Sequence, residues 1–203
     1  MIEVFGVLDS PFGRRVCIVA GLYNIPVNLI KISAYQNVDL LAEINSTLTT
    51  PTVRLSDNTI LIDSAAIIDY FVEIVGREKC FMPPHGVERR DTLQLIDLIN
   101  LSCEKIGQLW RELSYRPPER IHPPIVERMK GQVRVAFGLL EQRVSSVHGQ
   151  FFPTSNHANI FGAIAYRFAN DYYPDLVSPQ EFRRLSIMSA RAEETPAFKA
   201  ASF

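Results

Sequence analysis

The sequence has few cysteines, and no two of them stand close together in the sequence. Cys17, Cys80 and Cys103 are far apart and form no C-x-x-C motif. This spacing argues against a disulfide framework, a structural zinc site and a dithiol redox centre. The four histidines also lack the spacing of metal ligands, so the sequence predicts no metal site.

An excess of charge of either sign is also missing. Lysine and arginine total 21 against 22 aspartate and glutamate residues, which gives a formal net charge of -1. This balance provides no basic field that would hold nucleic acid or an anionic membrane. Charges interrupt every apolar stretch before it reaches bilayer-spanning length, and the N-terminus lacks the features of a secretory signal. We therefore expect a cytoplasmic protein that binds a small ligand and has neither nucleic acid nor membrane as a partner.

The N-terminal part of the sequence alternates between apolar runs and helical patterns. Apolar runs over Ile2–Leu8 and Val27–Ile32 flank a helical pattern that Pro26 ends, which predicts a β-α-β unit with parallel strands. Further elements predicted in this part are a helix over Val38–Ile44, hairpin strands over Thr52–Leu55 and Thr59–Ile62, and a helix over Ala65–Val75 capped by Ser64.

The segment after Gly76 shows no periodicity and contains Pro83 and Pro84, which is typical of an interdomain linker. We place a first domain at residues 1–76, a linker at 77–88 and a second domain at 89–203. The second domain contains no convincing strand. Its predicted helices cover Arg89–Leu113, Ile125–Val147, Ala158–Asn170 and Pro179–Ala192. The sequence thus predicts an α/β domain followed by an all-α helical bundle.

Ser10 and Pro11 stand where the first strand meets the first helix. A structural interpretation makes Ser10 the helix cap and places Pro11 in the first turn. A functional interpretation uses the same position, because a helix N-terminus favours negative charge and a hydroxyl there can donate to a thiolate. Such surroundings lower a bound thiol's pKa from about 8.5 toward neutrality.

Two further segments also allow both kinds of interpretation. Thr50-Pro51 precedes a strand and is either an ordinary trans pair or a cis bond that exposes the Thr50 main chain to an extended peptide. Asp63-Ser64 is either a simple helix cap or a site for a ligand carboxylate and ammonium. A ligand with a thiol, peptide bonds, an ammonium and carboxylates would use all three segments, and glutathione is such a ligand.

These segments together resemble the glutathione transferase family. The resemblance rests on five segments. Three of them, residues 10–16 (SPFGRRV), Thr50-Pro51 and residues 61–70 (LIDSAAIIDY), have the family's order and spacing, and two lie near the C-terminus, at 156–160 (NHANI) and 195–199 (TPAFK). It implies a thioredoxin-like N-terminal domain, a helical C-terminal domain and a homodimer. Asn156 and Asn159 replace the usual residues of the helix-capping segment, and we expect that helix to form because asparagine is a strong cap.

The resemblance also implies a role for each site residue. Ser10 would be the thiolate-stabilising hydroxyl of a serine-type member, and Phe12 would line the site. The remaining residues would hold the peptide: Thr50 and cis Pro51 at the cysteinyl main chain, Asp63 and Ser64 at the γ-glutamyl end, and Thr49 near the glycine carboxylate, where many members carry lysine.

Three functions fit this resemblance. The first is a detoxifying glutathione transferase that conjugates glutathione, as co-substrate, to a small apolar electrophile. The second is a non-catalytic binding protein with the same fold, and the third is a glutathione-dependent isomerase or peroxidase. Glu104, Gln108, Arg111 and Tyr115 lie on related turns of the predicted first bundle helix, where the electrophile pocket would be.

Overall fold

The computed structural model describes residues 1–146 and 156–203. Within them the chain divides into two units, Met1–Cys80 together with Glu194–Phe203, and Phe81–Glu193. The second domain was predicted to run to residue 203, whereas the segment from Glu194 onward packs with the first unit. The predicted helix end at Val147 lies outside the described residues.

The first unit contains a four-stranded mixed sheet. Its strands are β1 (Ile2–Gly6), β2 (Val27–Lys31), β3 (Thr52–Arg54) and β4 (Ile60–Ile62). The strand order is β2-β1-β3-β4, in which β1 and β2 are parallel and the other pairs are antiparallel. The predicted β-α-β unit and hairpin are confirmed, although each strand is shorter than its apolar run.

Helices of the first unit cover the sheet. They are α1 (Pro11–Leu22), α2 (Val38–Ile44), α3 (Ser64–Val75) and a short α8 (Pro196–Ala200), with a 3-10 turn at Arg77–Lys79. The apolar faces of α1 and α3 are buried through residues such as Val16, Ile67 and Phe71. On the other side of β1, Phe5 packs with Ile32 and Leu41. Each such side chain contributes roughly 1.5–3 kcal/mol by leaving water.

Helix α8 packs against α1 through a buried arginine. The Arg14 Nε donates to the main-chain oxygen of Ala201 at 3.0 Å. Its guanidinium lies 5.5 Å from the Phe198 ring centre and 5.0 Å from that of Phe203. Because Phe198 is fully buried, apolar contact and a charge-assisted hydrogen bond together hold this segment on the first unit.

The second unit consists of helices α4 (Gly86–Tyr115), α5 (Pro123–Ser146), α6 (His157–Tyr172) and α7 (Arg183–Glu193), with a 3-10 turn at Pro118–Arg120. The prediction that this region is helical is confirmed for the described residues, since each of these four helices overlaps one predicted helix. Asn156 caps α6, since its side-chain oxygen accepts the Asn159 amide at 2.9 Å, and the expected helix forms. Among the described residues, no helix combines the length and apolar character that a membrane span needs.

Candidate functional site

The ends of three strands meet at one edge of the sheet in the first unit. Phe5 in β1 pairs with Thr52 at the start of β3, and Thr52 pairs with Ile62 at the end of β4. A methyl group added to Gly6 would lie only 3.7 Å from the Cα of Pro51. The segments that follow β1, precede β3 and follow β4 are therefore neighbours, and they carry the predicted site residues.

Ser10 is the N-cap residue of α1 by its backbone conformation, with φ -80° and ψ 127°. Its main-chain oxygen accepts the Arg14 amide at 2.9 Å. The Ser10 side chain makes no capping hydrogen bond, so the interpretation in which this hydroxyl caps the helix is wrong. Pro11 occupies the first turn as expected. A half-buried hydroxyl is thus left beside the positive end of a helix dipole.

Close packing determines where α1 begins. A Cβ at Gly13 would lie 2.5 Å from the carbonyl oxygen of Val7, a distance that real side chains do not adopt. Glycine therefore permits the first turn of α1 to approach the end of β1. Phe12, in the same turn, is half-buried and lies under the Arg15 guanidinium, 5.0 Å from ring centre to Cζ.

The peptide bond between Thr50 and Pro51 is cis, as the family resemblance implied. Pro51 is buried, Thr50 is half-buried and Thr49 is exposed. Strand pairing of β3 begins only at Thr52. The Thr50 main chain therefore lies outside the ladder at the sheet edge, where an extended peptide could pair with it.

Asn45 organises the loop before this proline. Its side-chain nitrogen donates to the Thr49 main-chain oxygen at 3.2 Å, to the Thr49 hydroxyl at 3.1 Å and to the Thr52 hydroxyl at 2.9 Å. Its side-chain oxygen accepts the Thr47 amide at 3.0 Å and the Thr47 hydroxyl at 2.8 Å. Because Asn45 is buried, these bonds hold the loop in one conformation. Nothing in the sequence marks Asn45 as the residue that organises this loop.

Asp63 adopts a backbone conformation that is rare for residues other than glycine, with φ 68° and ψ 125°. Its Oδ1 accepts the Ala65 amide at 2.7 Å, so Asp63 caps α3. The prediction that Ser64 is the cap is wrong, because Ser64 is already the first helical residue. A left-handed aspartate costs on the order of 1–3 kcal/mol, and such strain clusters at functional sites.

Ser64 faces a buried arginine instead. The Arg15 Nε donates to the Ser64 Oγ at 2.9 Å, and Nη2 donates to the same oxygen at 2.5 Å. Both residues are buried. These two bonds use the acceptor sites of the hydroxyl and leave its proton to be donated. Arg15 has no role that the sequence alone predicts, since nothing in the sequence relates it to a serine in another helix.

Cysteine chemistry is disfavoured near this edge. Burial raises the pKa of the Cys17 thiol to about 11, so at neutral pH this residue of α1 is not a thiolate nucleophile. The three cysteines are all free thiols. In residues 1–146 and 156–203, no three histidine, cysteine, aspartate or glutamate side chains come together as metal ligands would.

The first unit is similar to a known protein domain. Residues 4–79 match the family model of the glutathione S-transferase N-terminal domain. This matched segment contains β2, β3, β4 and most of β1, together with every predicted site residue. No curated protein sequence matches the chain.

Solved structures extend the likeness to the whole chain. A glutathione transferase family member from Pseudomonas fluorescens, with bound glutathione, has 23% identity and a TM-score of 0.87, over 99% of this chain and 98% of that one. A glutathione S-transferase from Methylobacillus flagellatus, also with glutathione, has 18% identity and a TM-score of 0.86, over 100% and 99%. One from Methylobacterium radiotolerans, in complex with glutathione sulfonate, has 16% identity and a TM-score of 0.87, over 98% and 93%. The chain has the glutathione transferase fold, as predicted.

Proposed function

We propose that this protein is a serine-type glutathione S-transferase. The observation that carries the proposal is the uncommitted Ser10 hydroxyl at the start of α1, on the sheet edge that also holds cis Pro51 and the Arg15–Ser64 pair. Glutathione would lie along this edge as an extended peptide with its sulfur at Ser10. The bound glutathione in the similar structures from Pseudomonas and Methylobacillus supports this ligand.

The chemistry follows from the position of the hydroxyl. A thiolate beside Ser10 would accept its proton as a hydrogen bond and would lie near the positive end of the α1 dipole. Both effects stabilise the anion more than the neutral thiol, so the pKa of the bound thiol falls. The thiolate then attacks the electrophile. The hydroxyl accelerates the reaction because it interacts more strongly with the charged states than with the neutral one.

The γ-glutamyl end of glutathione would bind at the start of α3. There the Ser64 hydroxyl keeps a proton to donate to a carboxylate, and Arg15 behind it supplies a positive charge. The Asp63 carboxylate would balance the ligand's ammonium through its second oxygen. The Thr50 main chain would pair with the cysteinyl residue, and Phe12 would line the sulfur end.

Thr49 would interact with the glycine carboxylate of the ligand more weakly than a lysine would. Its hydroxyl already accepts from Asn45 at 3.1 Å and lies 2.9 Å from the Thr47 hydroxyl. It is therefore part of the loop network and brings no positive charge to the ligand. This observation favours the second candidate function, a non-catalytic binding protein of the same fold with weak affinity for glutathione.

The co-substrate would be a small apolar electrophile, and the protein would act in the cytoplasm in detoxification. We also propose a homodimer. Large apolar side chains are exposed on both units, Ile62 at 39% and Ile74 at 48% in the first, Val135 at 64% and Leu139 at 42% in the second. Size-exclusion chromatography with light scattering tests the dimer, and a monomer would count against it.

Replacing Ser10 by alanine tests the enzymatic proposal. We expect the variant to lose about 100-fold in kcat for conjugation of chlorodinitrobenzene, the effect typical of removing one donor to a developing anion. Its affinity for glutathione should change by less than about threefold, because the ligand's other contacts remain. The ultraviolet absorbance of bound thiolate, followed against pH, should show a pKa closer to that of free glutathione.

Ser46→Ala is the matched control, since Ser46 is an exposed serine of the same unit and should retain full activity. Equal turnover by Ser10→Ala and the unmodified protein would refute the role of Ser10. Failure of the unmodified protein to bind glutathione at millimolar concentration in calorimetry would refute the enzymatic proposal and favour the non-catalytic binding protein. Binding without turnover of any electrophile would select the non-catalytic one.

A further inference from the structure

The loop of residues 45–52, the threonine loop, uses its hydroxyl protons internally. The Thr47 hydroxyl donates to the Asn45 Oδ1 at 2.8 Å, and the Thr52 hydroxyl donates to the Thr49 main-chain oxygen at 2.8 Å. The hydroxyl oxygens of Thr47 and Thr49 are 2.9 Å apart. Because the Thr47 proton is already donated to Asn45, Thr49 is the donor in this pair. All three hydroxyl protons are therefore used within the loop.

The two exposed hydroxyls of this loop keep only acceptor sites for a ligand. Asn45 cannot be turned around in the network, because its side-chain oxygen accepts the Thr47 amide and its nitrogen donates to the Thr49 main-chain oxygen. That nitrogen also donates to the Thr49 hydroxyl at 3.1 Å. A hydroxyl has one proton and two lone pairs. Thr47 and Thr49, both exposed, each donate once and accept once, so one lone pair remains on each.

The charge around the threonine loop is negative. The loop begins where α2 ends, and the last carbonyl groups of a helix carry partial negative charge. Glu43 is exposed in the last turn of α2, which contains no basic residue. Residues 33–52, all of which the structure describes, have a formal charge of -2 from Asp39 and Glu43 and include no lysine, arginine or histidine. A carboxylate bound at this loop would therefore be repelled.

The cations that flank this segment in the sequence do not offset that charge. Lys31 stands between Ile30 and Ile32, which both pack into the apolar core beneath α2. Because side chains along a strand alternate between faces, Lys31 lies on the face opposite α2. Arg54 pairs with Glu3 at 2.7 Å. The potential at the threonine loop is thus determined by the end of α2 and its carboxylates.

One end of a bound peptide would lie at this loop. In the proposed complex the middle of the peptide pairs with the Thr50 main chain, and its γ-glutamyl end binds at Ser64, which follows β4 at one side of the sheet. Helix α2 instead packs on Phe5 and Ile32, at the β1 and β2 side. An extended peptide that reaches Ser64 with one end therefore directs its other end toward α2 and Thr49.

We propose that the preferred thiol substrate ends in a hydrogen-bond donor, a carboxamide or an amine, where glutathione has its glycine carboxylate. The N–H groups of such an end would donate to the free lone pairs of Thr47 and Thr49, and a neutral or cationic end avoids repulsion by Glu43. This inference rests on the proposed function, because it concerns the same site. The substrate class is then γ-glutamylcysteinyl peptides whose far end carries no negative charge.

Glutathione and its glycine amide test this preference. The two probes have the same thiol and γ-glutamyl group and differ only in the carboxylate or carboxamide at the far end. Calorimetric titration at pH 6.5 keeps both free thiols protonated and the glycine carboxyl ionised. The amide should bind the unmodified protein at least about threefold more tightly, because new hydrogen bonds replace a repulsive contact.

Thr49→Lys should reverse the order of the two probes, because its ammonium would pair with the glycine carboxylate. Glutathione should then bind at least about threefold more tightly than its amide. Thr49→Met is the matched control, since it removes the same hydroxyl and adds a long side chain without charge. This control should bind the two probes within about threefold of each other. Thermal unfolding of both variants verifies that they are folded.

Three results would overturn the inference alone. They are binding of glutathione to the unmodified protein as tightly as its amide, a Thr49→Lys variant that still prefers the amide, and a preference for glutathione in Thr49→Met as large as in Thr49→Lys. Failure of both probes to bind the unmodified protein at millimolar concentration would overturn the inference and the enzymatic proposal together. The two kinds of failure are therefore distinguishable.

Discussion

Arg15→Gln tests whether a buried charge behind Ser64 contributes to glutathione binding. The arginine donates two hydrogen bonds to the Ser64 oxygen, and the serine proton would then be donated to the γ-glutamyl carboxylate. Glutamine keeps a neutral donor but removes the charge. We therefore expect weaker binding of glutathione and a less stable first unit.

The magnitude follows from distance and burial. Two hydrogen bonds in series place the guanidinium about 5 Å from the carboxylate. Coulomb's law then gives about 3 kcal/mol at an effective dielectric constant of 20 and about 0.8 kcal/mol in bulk water. Arg15 is only 6% exposed, so the true value lies nearer the first. Since the new amide compensates in part, we expect a loss of about 1–2 kcal/mol, roughly 5- to 30-fold in Kd.

Calorimetric titration with glutathione measures this loss, and urea unfolding measures stability. The variant should lose about 1–3 kcal/mol of unfolding free energy, because its buried serine oxygen loses charged donors. The matched control is Arg54→Gln, which removes a cation that pairs with Glu3 at 2.7 Å on the sheet. A folded Arg15→Gln variant that binds glutathione as tightly as Arg54→Gln does would refute the reasoning.

Two further perturbations test the surroundings of the site. Asn45→Asp removes the amide nitrogen that reaches Thr49 and Thr52. Calorimetry should show about 5- to 30-fold weaker glutathione binding, as expected for a loss of about 1–2 kcal/mol when the loop is less ordered. Asn37→Asp, at an exposed position, should bind glutathione as the unmodified protein does, and equal effects of the two substitutions would contradict the role of Asn45. The thiol of Cys17 has its pKa raised to about 11, whereas the unfolded thiol ionises near 8.5, so the folded state holds its proton longer and loses stability as pH rises between these values. The unfolding free energies of the unmodified protein and of Cys17→Ala, measured in urea, should therefore converge as the pH rises from about 8.5 to about 11. A constant difference between them would contradict the burial of the thiol.

Much of the fold could be predicted because local patterns and tertiary structure agree. The apolar runs at β1 and β2, the turn between β3 and β4, and the helical periodicity of α3 and α6 all specify their own elements. Boundaries were less predictable, because helix α4 begins at Gly86, inside the predicted linker. The 3-10 turns and α8 are too short to give a periodic signal.

The candidate site was predictable only where one residue type is required by its local position. Pro51 and the polar pair at 63 and 64 fall in this class. Arg15 and Asn45 do not, since each acts through contacts that the chain makes after folding. The exchange of roles between Asp63 and Ser64 has the same origin, because the arginine that attracts the serine hydroxyl comes from another helix.

The position of α8 determines when the first unit can finish folding during synthesis. Its residues complete the core around Arg14, yet the whole of the second unit is translated before them. The first unit is thus a discontinuous domain, and a nascent chain cannot close it until the helical unit has emerged from the ribosome. Arg14 would remain without its aromatic neighbours during that interval.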